Sequence, residues 1–213
     1  MTVSVVKEAE VLISELAVQS GVPLATVKFY LREGLLAPGS ATSATRAIYG
    51  QAHVSRLRLV RALVEVGGLR LAAVREVLAA LDDPSRSKHD VLGAAHDRLA
   101  AQVPAVDQAA LDAADAHLAR LGWRVHPEAP HRRVLARALA ACTAVGHPVD
   151  PATIDTYARA ALMVAEVDLA SVPTTDRALA MERVVIGTVL HEPLLLALRR
   201  LAQALVSARL AKR

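Results

Sequence analysis

Residues 13–36, ISELAVQSGVPLATVKFYLREGLL, leave the chain little freedom in how it begins to fold. Two short apolar segments flank a Ser-Gly-Val-Pro corner. Ala17, Gly21 and Val27 stand at four- and six-residue steps. A helix-turn-helix needs a small residue, a residue able to take positive φ, and an apolar anchor at those places. Ala17 lets two helices approach, Gly21 makes the corner, and Val27 buries against the first helix. Ser14 is expected to cap that first helix, which runs through Ser20 and ends at Gly21. The second is predicted over residues 24–33, with Pro23 at or near its first turn and Gly34 stopping it.

Such hairpins also occur purely for packing, so the second helix decides the reading. At about 100° per residue, Leu24, Val27 and Leu31 share a narrow arc with Tyr30 at its edge. Ala25, Lys28, Phe29 and Arg32 lie opposite. Lys28 and Arg32 are one turn apart, so both can reach a major groove or its phosphates. Thr26, Lys28, Arg32 or Ala25 would have to supply base contacts. An exposed Phe29 between two cations is awkward unless the following hairpin covers it. Between residues 24 and 61 six basic side chains (Lys28, Arg32, Arg46, Arg56, Arg58, Arg61) face one acid, Glu33: 6 − 1 = +5, against +4 for the whole chain. A concentrated positive block is the footprint of a polyanion binder, although a solvated helix face would carry charges too.

Further on, APGSATSATRAIYG has the composition of a loop, with a short β-hairpin around residues 45–49. Helical periodicity returns over residues 51–66, with Val54, Leu57, Val60, Leu63 and Val64 inward. Gly67-Gly68 ends that helix, and residues 71–81 form another, burying Val74, Val77, Leu78 and Leu81. The polar run 82–90, DDPSRSKHD, reads as a hinge between a first domain (residues 11–81) and a second (91–213). Helical patterning over 91–121 is split or kinked by Pro104. Helices are then expected over 130–145, 151–167, 175–191 and 193–212, Asp150 before Pro151 being a strong start signal.

More than half of the residues are apolar but only 2% are aromatic, so the core must be Ala, Leu and Val. Such text favours helices. The expected fold is mainly α: a winged helix-turn-helix, then an all-helical dimerisation and effector bundle. One cysteine, Cys142, excludes an intramolecular disulfide framework and agrees with a reducing cytoplasm. Neither a secretory leader nor a membrane-length apolar run is legible.

Residues 13–36, followed by RAIYGQAHVSRLRLVRALVEVGGLRLAAVREVLAAL, together resemble the DNA-binding domain of the MerR family of bacterial transcription regulators. The similarity spans about residues 13–81. It implies a winged helix-turn-helix whose wings touch the DNA backbone, and a homodimer bridged by a long helix after that domain. It also implies action on double-stranded promoter DNA, bent and untwisted so that RNA polymerase can engage both elements. Thr26, Lys28, Tyr30 and Arg32 match the family's recognition-helix positions, and Tyr49 the wing's closing aromatic. Ala25 stands where an Arg is common, and Leu31 where a Glu is usual. Arg46 lies one residue before the usual wing Arg, a slip that turns a strand side chain to the other face. Pro104 interrupts the expected dimer helix.

In the second half, one cysteine and scattered histidines supply no metal or redox site, and no cofactor is expected. The segment HEPLL (191–195) lacks the second His of a zinc-protease helix and holds Pro193. Trp123, Tyr157, Met163 and Met181 could line an apolar effector cavity between helices, or simply fill the core. Asp155, Glu166, Asp168 and Glu182 could add charge for a cationic ligand. No paired carboxylates, nucleophile triad or Gly-rich loop supports catalysis. The functional readings are therefore a dimeric sequence-specific regulator, or a DNA-architectural or recombination-accessory protein using the same domain without a ligand.

Overall fold

The computed structural model describes residues 10–43, 46–87, 89–91, 93, 96, 104–173 and 177–212. The chain is mainly helical. Its elements are α1 (Ile13–Ser20), α2 (Leu24–Arg32), β1 (Ser40–Ser43), β2 (Arg46–Ile48), α3 (Gln51–Glu65), α4 (Leu71–Asp82), α5 (Gln108–Arg120), α6 (Pro130–Ala144), α7 (Pro151–Ala170) and α8 (Arg177–Leu210). They cluster into two units, Met1–Leu78 and Ala79–Arg213.

In the first unit α1 opens at Leu12 rather than Ser14. The Glu15 carboxylate accepts from the Leu12 N–H at 3.1 Å, and Leu12 O accepts from Leu16 N–H at 2.8 Å. An acid three residues inside the helix therefore satisfies the first orphan donor, and Ser14 sits exposed within the helix. Gly21 takes φ +67, and the Val22 N–H returns to Ala17 O at 3.1 Å, closing the corner. Gly34, at φ +70, does the same after α2 and turns Leu35 and Leu36 into the core. From α3 the side chains of Val54, Leu57, Val60 and Leu63 are buried as expected, with Leu59 added; Val64 is only half-buried. Val74, Val77 and Leu78 of α4 complete this core, while Leu81 stays half-buried.

The β1–β2 hairpin is antiparallel, pairing Ser40 with Ile48, Ala41 with Ala47 and Ser43 with Arg46, with an irregularity between Ala41 and Ser43. Thr42 is the extra residue, and its hydroxyl donates to Arg46 O at 3.2 Å. Residues 44–45 lie outside the described residues. The hairpin begins earlier than the expected 45–49: that span holds only its second strand, the first being the Ser- and Thr-rich segment 40–43 whose composition reads as loop. Its base is fixed from outside the loop: Val11 and Tyr49 exchange two backbone hydrogen bonds, each 2.9 Å. Gly39 lets the strands sit close. A Cβ there would lie 2.6 Å from Ile48 O and 2.9 Å from the Tyr49 ring.

In the second unit residues 104–107 are not helical, and a helix begins at Gln108 under an Asp107 cap (2.7 Å to the Ala110 N–H). Pro104 itself stands outside a helix, while residues 92, 94, 95 and 97–103 of the expected run 91–121 lie outside the described residues. Arg132 of α6 grips Asp115 of α5 with two bonds of 2.6 and 2.5 Å. That guanidinium holds the Asp115 carboxyl below the ordinary carboxylate range. Asp150 caps α7 through the Thr153 N–H and hydroxyl, at 3.0 and 2.7 Å, with Pro151 at the first helical position.

The expected break at Pro193 does not occur. α8 runs through it, because proline removes only its own hydrogen bond and crowds one carbonyl, a local cost of about 3 kcal/mol. Long Leu-, Ala- and Arg-rich flanks sustain the helix on either side. Among the described residues of this unit the buried ones are few and small, chiefly Ala114, Ala136, Ala180, Val184, Val185 and Val189, with Leu118 and Met181 among the larger ones. Among the described residues, no helix is long and apolar enough to cross a membrane.

Candidate nucleic-acid interface

The buried edge of α2 is Val27 and Tyr30, not the arc Leu24–Val27–Leu31 that the helical wheel suggests. Leu24 is exposed and Leu31 half-buried. A wheel fixes relative angles but not the direction from which neighbours arrive, and the core meets α2 between Val27 and Tyr30. The opposite side carries Ala25, Lys28 and Arg32, all exposed, with Thr26 half-buried at its rim. No ion pair engages Lys28 among the described residues. The Arg32 guanidinium lies 5.3 Å from the centroid of the Phe29 ring, which is half-buried and leans on Tyr30 at 5.8 Å. Phe29 is thus partly covered by its own neighbour one turn on, a cation–π arrangement. Glu33, 3.9 Å from Arg32, is bonded more closely by Arg75 at 3.1 Å, leaving Arg32 largely free.

The positive block divides by role. Arg58 donates to Gln19 O at 2.7 Å and Arg61 to Gly21 O at 3.0 Å, satisfying carbonyls at the end of α1. Arg56 donates to Leu35 O at 3.4 Å, just after α2. Three arginines of α3 therefore brace the helix-turn-helix, a role that charge counting could not separate from DNA contact. Lys28, Arg32 and Arg46 remain as outward cations, the last exposed on β2 beside the bulge. A bulge re-aims strand side chains.

Tyr30 and Tyr49 are placed differently. Both are buried, 7% and 6% exposed. Burial pushes the Tyr30 hydroxyl pKa up, and the nearby Glu65 charge adds to that. Tyr49 packs edge-on against His53, with ring centroids 5.1 Å apart. The two tyrosines seat the helix and the wing rather than lying open on the cationic surface.

The four residues considered for an effector pocket do not converge. Trp123, Tyr157 and Met163 are exposed, while Met181 is buried in the core. A cavity of about 240 Å³ opens instead between α7 and α8, bordered by Val164, Asp168, Val184, Gly187, His191 and Leu195 among others. Asp168 accepts from or pairs with His191 Nδ1 at 2.9 Å. None of the four borders it. Asp155 is bound by Arg120 at 2.5 Å. Among the described residues no group of three or more His, Cys, Asp and Glu could hold a metal ion.

A helix-turn-helix, a two-stranded wing and outward cations on both define a winged-helix DNA-binding unit. Residues 12–81 match the profile of the MerR HTH family regulatory protein. The chain is also similar, at 39% identity, to a proposed transcriptional regulator of Streptomyces coelicolor A3(2), SCO5550, whose crystal structure superposes with a TM-score of 0.73. That likeness covers 92% of this chain and 96% of the other. No curated protein matches the chain. The chain belongs to the MerR family, and it is a DNA-binding regulator.

Proposed function

We propose that the protein acts as a homodimer on promoter DNA in the bacterial cytoplasm, bending and untwisting the duplex so that RNA polymerase engages the promoter. The observation that carries this reading is the division of the basic block. Arg56, Arg58 and Arg61 are tied to backbone carbonyls, while Lys28, Arg32 and Arg46 face outward from helix and wing. Lys28 and Arg32 enter the groove with Ala25 and Thr26; Arg46 holds a flanking phosphate; Tyr30 and Tyr49 support them from beneath. The residue boundaries 11–81, 82–90 and 91–213 describe reader, hinge and dimerisation region. The reading is tested by competition binding. A promoter inverted repeat should bind roughly 10³-fold or more tightly than bulk duplex at physiological salt. Equal affinity for both would favour a purely architectural protein.

A small molecule gates the response in this reading, and the α7–α8 cavity supports that part. It is a largely apolar recess with the Asp168–His191 pair at its side, and a cavity of about 150 Å³ already accepts benzene. Gly187, within α8, is the recess's weak point. A Cβ built there has nothing nearer than His191 Nδ1 at 4.0 Å. Gly187→Leu should therefore fold, gain helix stability of roughly 0.5–1 kcal/mol, and fill the space. Operator binding without effector should be unchanged, while any effector-dependent shift in promoter output should disappear. A full response in the variant would place the effector elsewhere.

A further inference from the structure

Glu33 is the one acid in the positive block of residues 24–61, and it stands in an unfavourable place. It follows directly on the last residue of α2, its N–H donating to Phe29 O at 2.9 Å. A helix C-terminus carries partial negative charge, so a carboxylate there is repelled where a cation would be favoured. A duplex lying along α2 would repel it as well. Glu33 Oε1 also lies 3.9 Å from Arg32 Nε, too long for a hydrogen bond but close enough to weaken a cation of the reading face.

What draws the carboxylate the other way is Arg75 of α4, 42 residues further along the chain. Its Nη2 donates to Glu33 Oε2 at 3.1 Å and to the Glu33 backbone O at 3.4 Å. One guanidinium thus binds both the acid and a carbonyl at the end of α2. The Arg32 side chain is 71% exposed and that of Glu33 35%, so the cation stays open while the acid is held aside. An ion pair as exposed as Arg75–Glu33 adds little stability, because water screens both charges. Its consequence lies in which arginine Glu33 occupies.

We propose that Arg75 is a positioning residue for DNA recognition: it sequesters Glu33 and so keeps the Arg32 charge available to the duplex. This rests on the DNA-facing role given to Arg32 above. Of the two cations that the structure sets against Glu33, only Arg32 remains once Arg75 is lost. Rotation of the Glu33 side chain then closes the 3.9 Å gap, and DNA has to displace an ion pair before it meets Arg32. α4 acts on recognition through the acid.

The test is a mutant cycle in the full-length protein, read at low salt as affinity for a duplex that the wild type selects from a random-sequence pool. Arg75→Met removes the charge and keeps most of the side chain's length. It should weaken binding roughly two- to fivefold, the strength of one exposed ion pair, and move the melting midpoint by less than about 3 °C. Adding Glu33→Gln should restore wild-type affinity, although the bond to the Glu33 carbonyl stays lost. In an Arg32→Ala background Arg75→Met should have no further effect, since the cation it protects is gone. A loss that persists in that background, or that Glu33→Gln does not restore, makes Arg75 a phosphate contact or a brace and overturns the proposal. Undiminished affinity in Arg75→Met, beside a weakened Arg32→Ala, overturns it alone. Undiminished affinity in Arg32→Ala overturns the role of Arg32 and this proposal together.

Discussion

Lys28→Ala combined with Arg32→Ala should weaken binding to the promoter fragment by roughly 10- to 1,000-fold and flatten the salt dependence of log affinity by about one to two units. The size follows from what the two side chains can do. A cation on a phosphate contributes mainly through released counterions, so its loss appears as a shallower slope. A cation on a base edge contributes about 1–3 kcal/mol of discrimination, so its loss appears as relaxed specificity at one position. Arg32 gives up its placement over Phe29, a contribution of about 0.5–1 kcal/mol at an exposed site, and a long ion pair with Glu33 when truncated. Thermal stability should therefore change little. Arg58→Ala is the matched control. Its guanidinium binds Gln19 O, so its removal should lower stability and leave the salt slope of the folded protein untouched. A double variant with unaltered slope and affinity would remove α2 from the interface.

Leu57→Ala should cost about 2–5 kcal/mol and destabilise the DNA-binding unit as a whole. Leu57 is fully buried on α3, the helix whose arginines brace the end of α1 and whose inner face carries Val54, Val60 and Leu63. For a unit of this size each kcal/mol moves the melting midpoint by roughly 4–8 °C, so a fall of 10 °C or more is expected. Small domains hold little reserve. The change would be read in the unit's own unfolding transition, with DNA binding lost in step with folding. A midpoint shift under about 3 °C would mean that the surrounding core collapses around the missing side chain.

How far the sequence led can be judged residue by residue. The corner at Gly21 was legible because only a narrow set of residues tolerates positive φ, and Ala17 and Val27 stand at fixed steps from it. Val54, Leu57, Val60 and Leu63 were legible because a 3.6-residue period forces them to one side. Leu24 and Tyr30 were exchanged in their roles, since periodicity does not reveal where a neighbouring element lies. Ser14 was outcompeted by Glu15, a longer side chain reaching back to the same helix end. Pro193 does not end α8, because one missing hydrogen bond is a local loss in a helix that has many. The α7–α8 recess was invisible because Asp168 and His191 are 23 residues apart and meet only where the two helices approach each other. The same holds for Arg58 and Gln19, 39 residues apart. Composition recorded their charge but not their duty.

The ladder between Val11 and Tyr49 bears on where this protein can be cut. Family similarity begins at residue 12, yet the strand that carries the wing leans on the residue just before it. A fragment trimmed to the family boundary would forfeit both of those backbone bonds and leave an orphaned N–H and C=O at Tyr49, beneath the hairpin. Its reading helix would survive intact while its wing lost its footing, so the shortest faithful reader must start upstream of Val11.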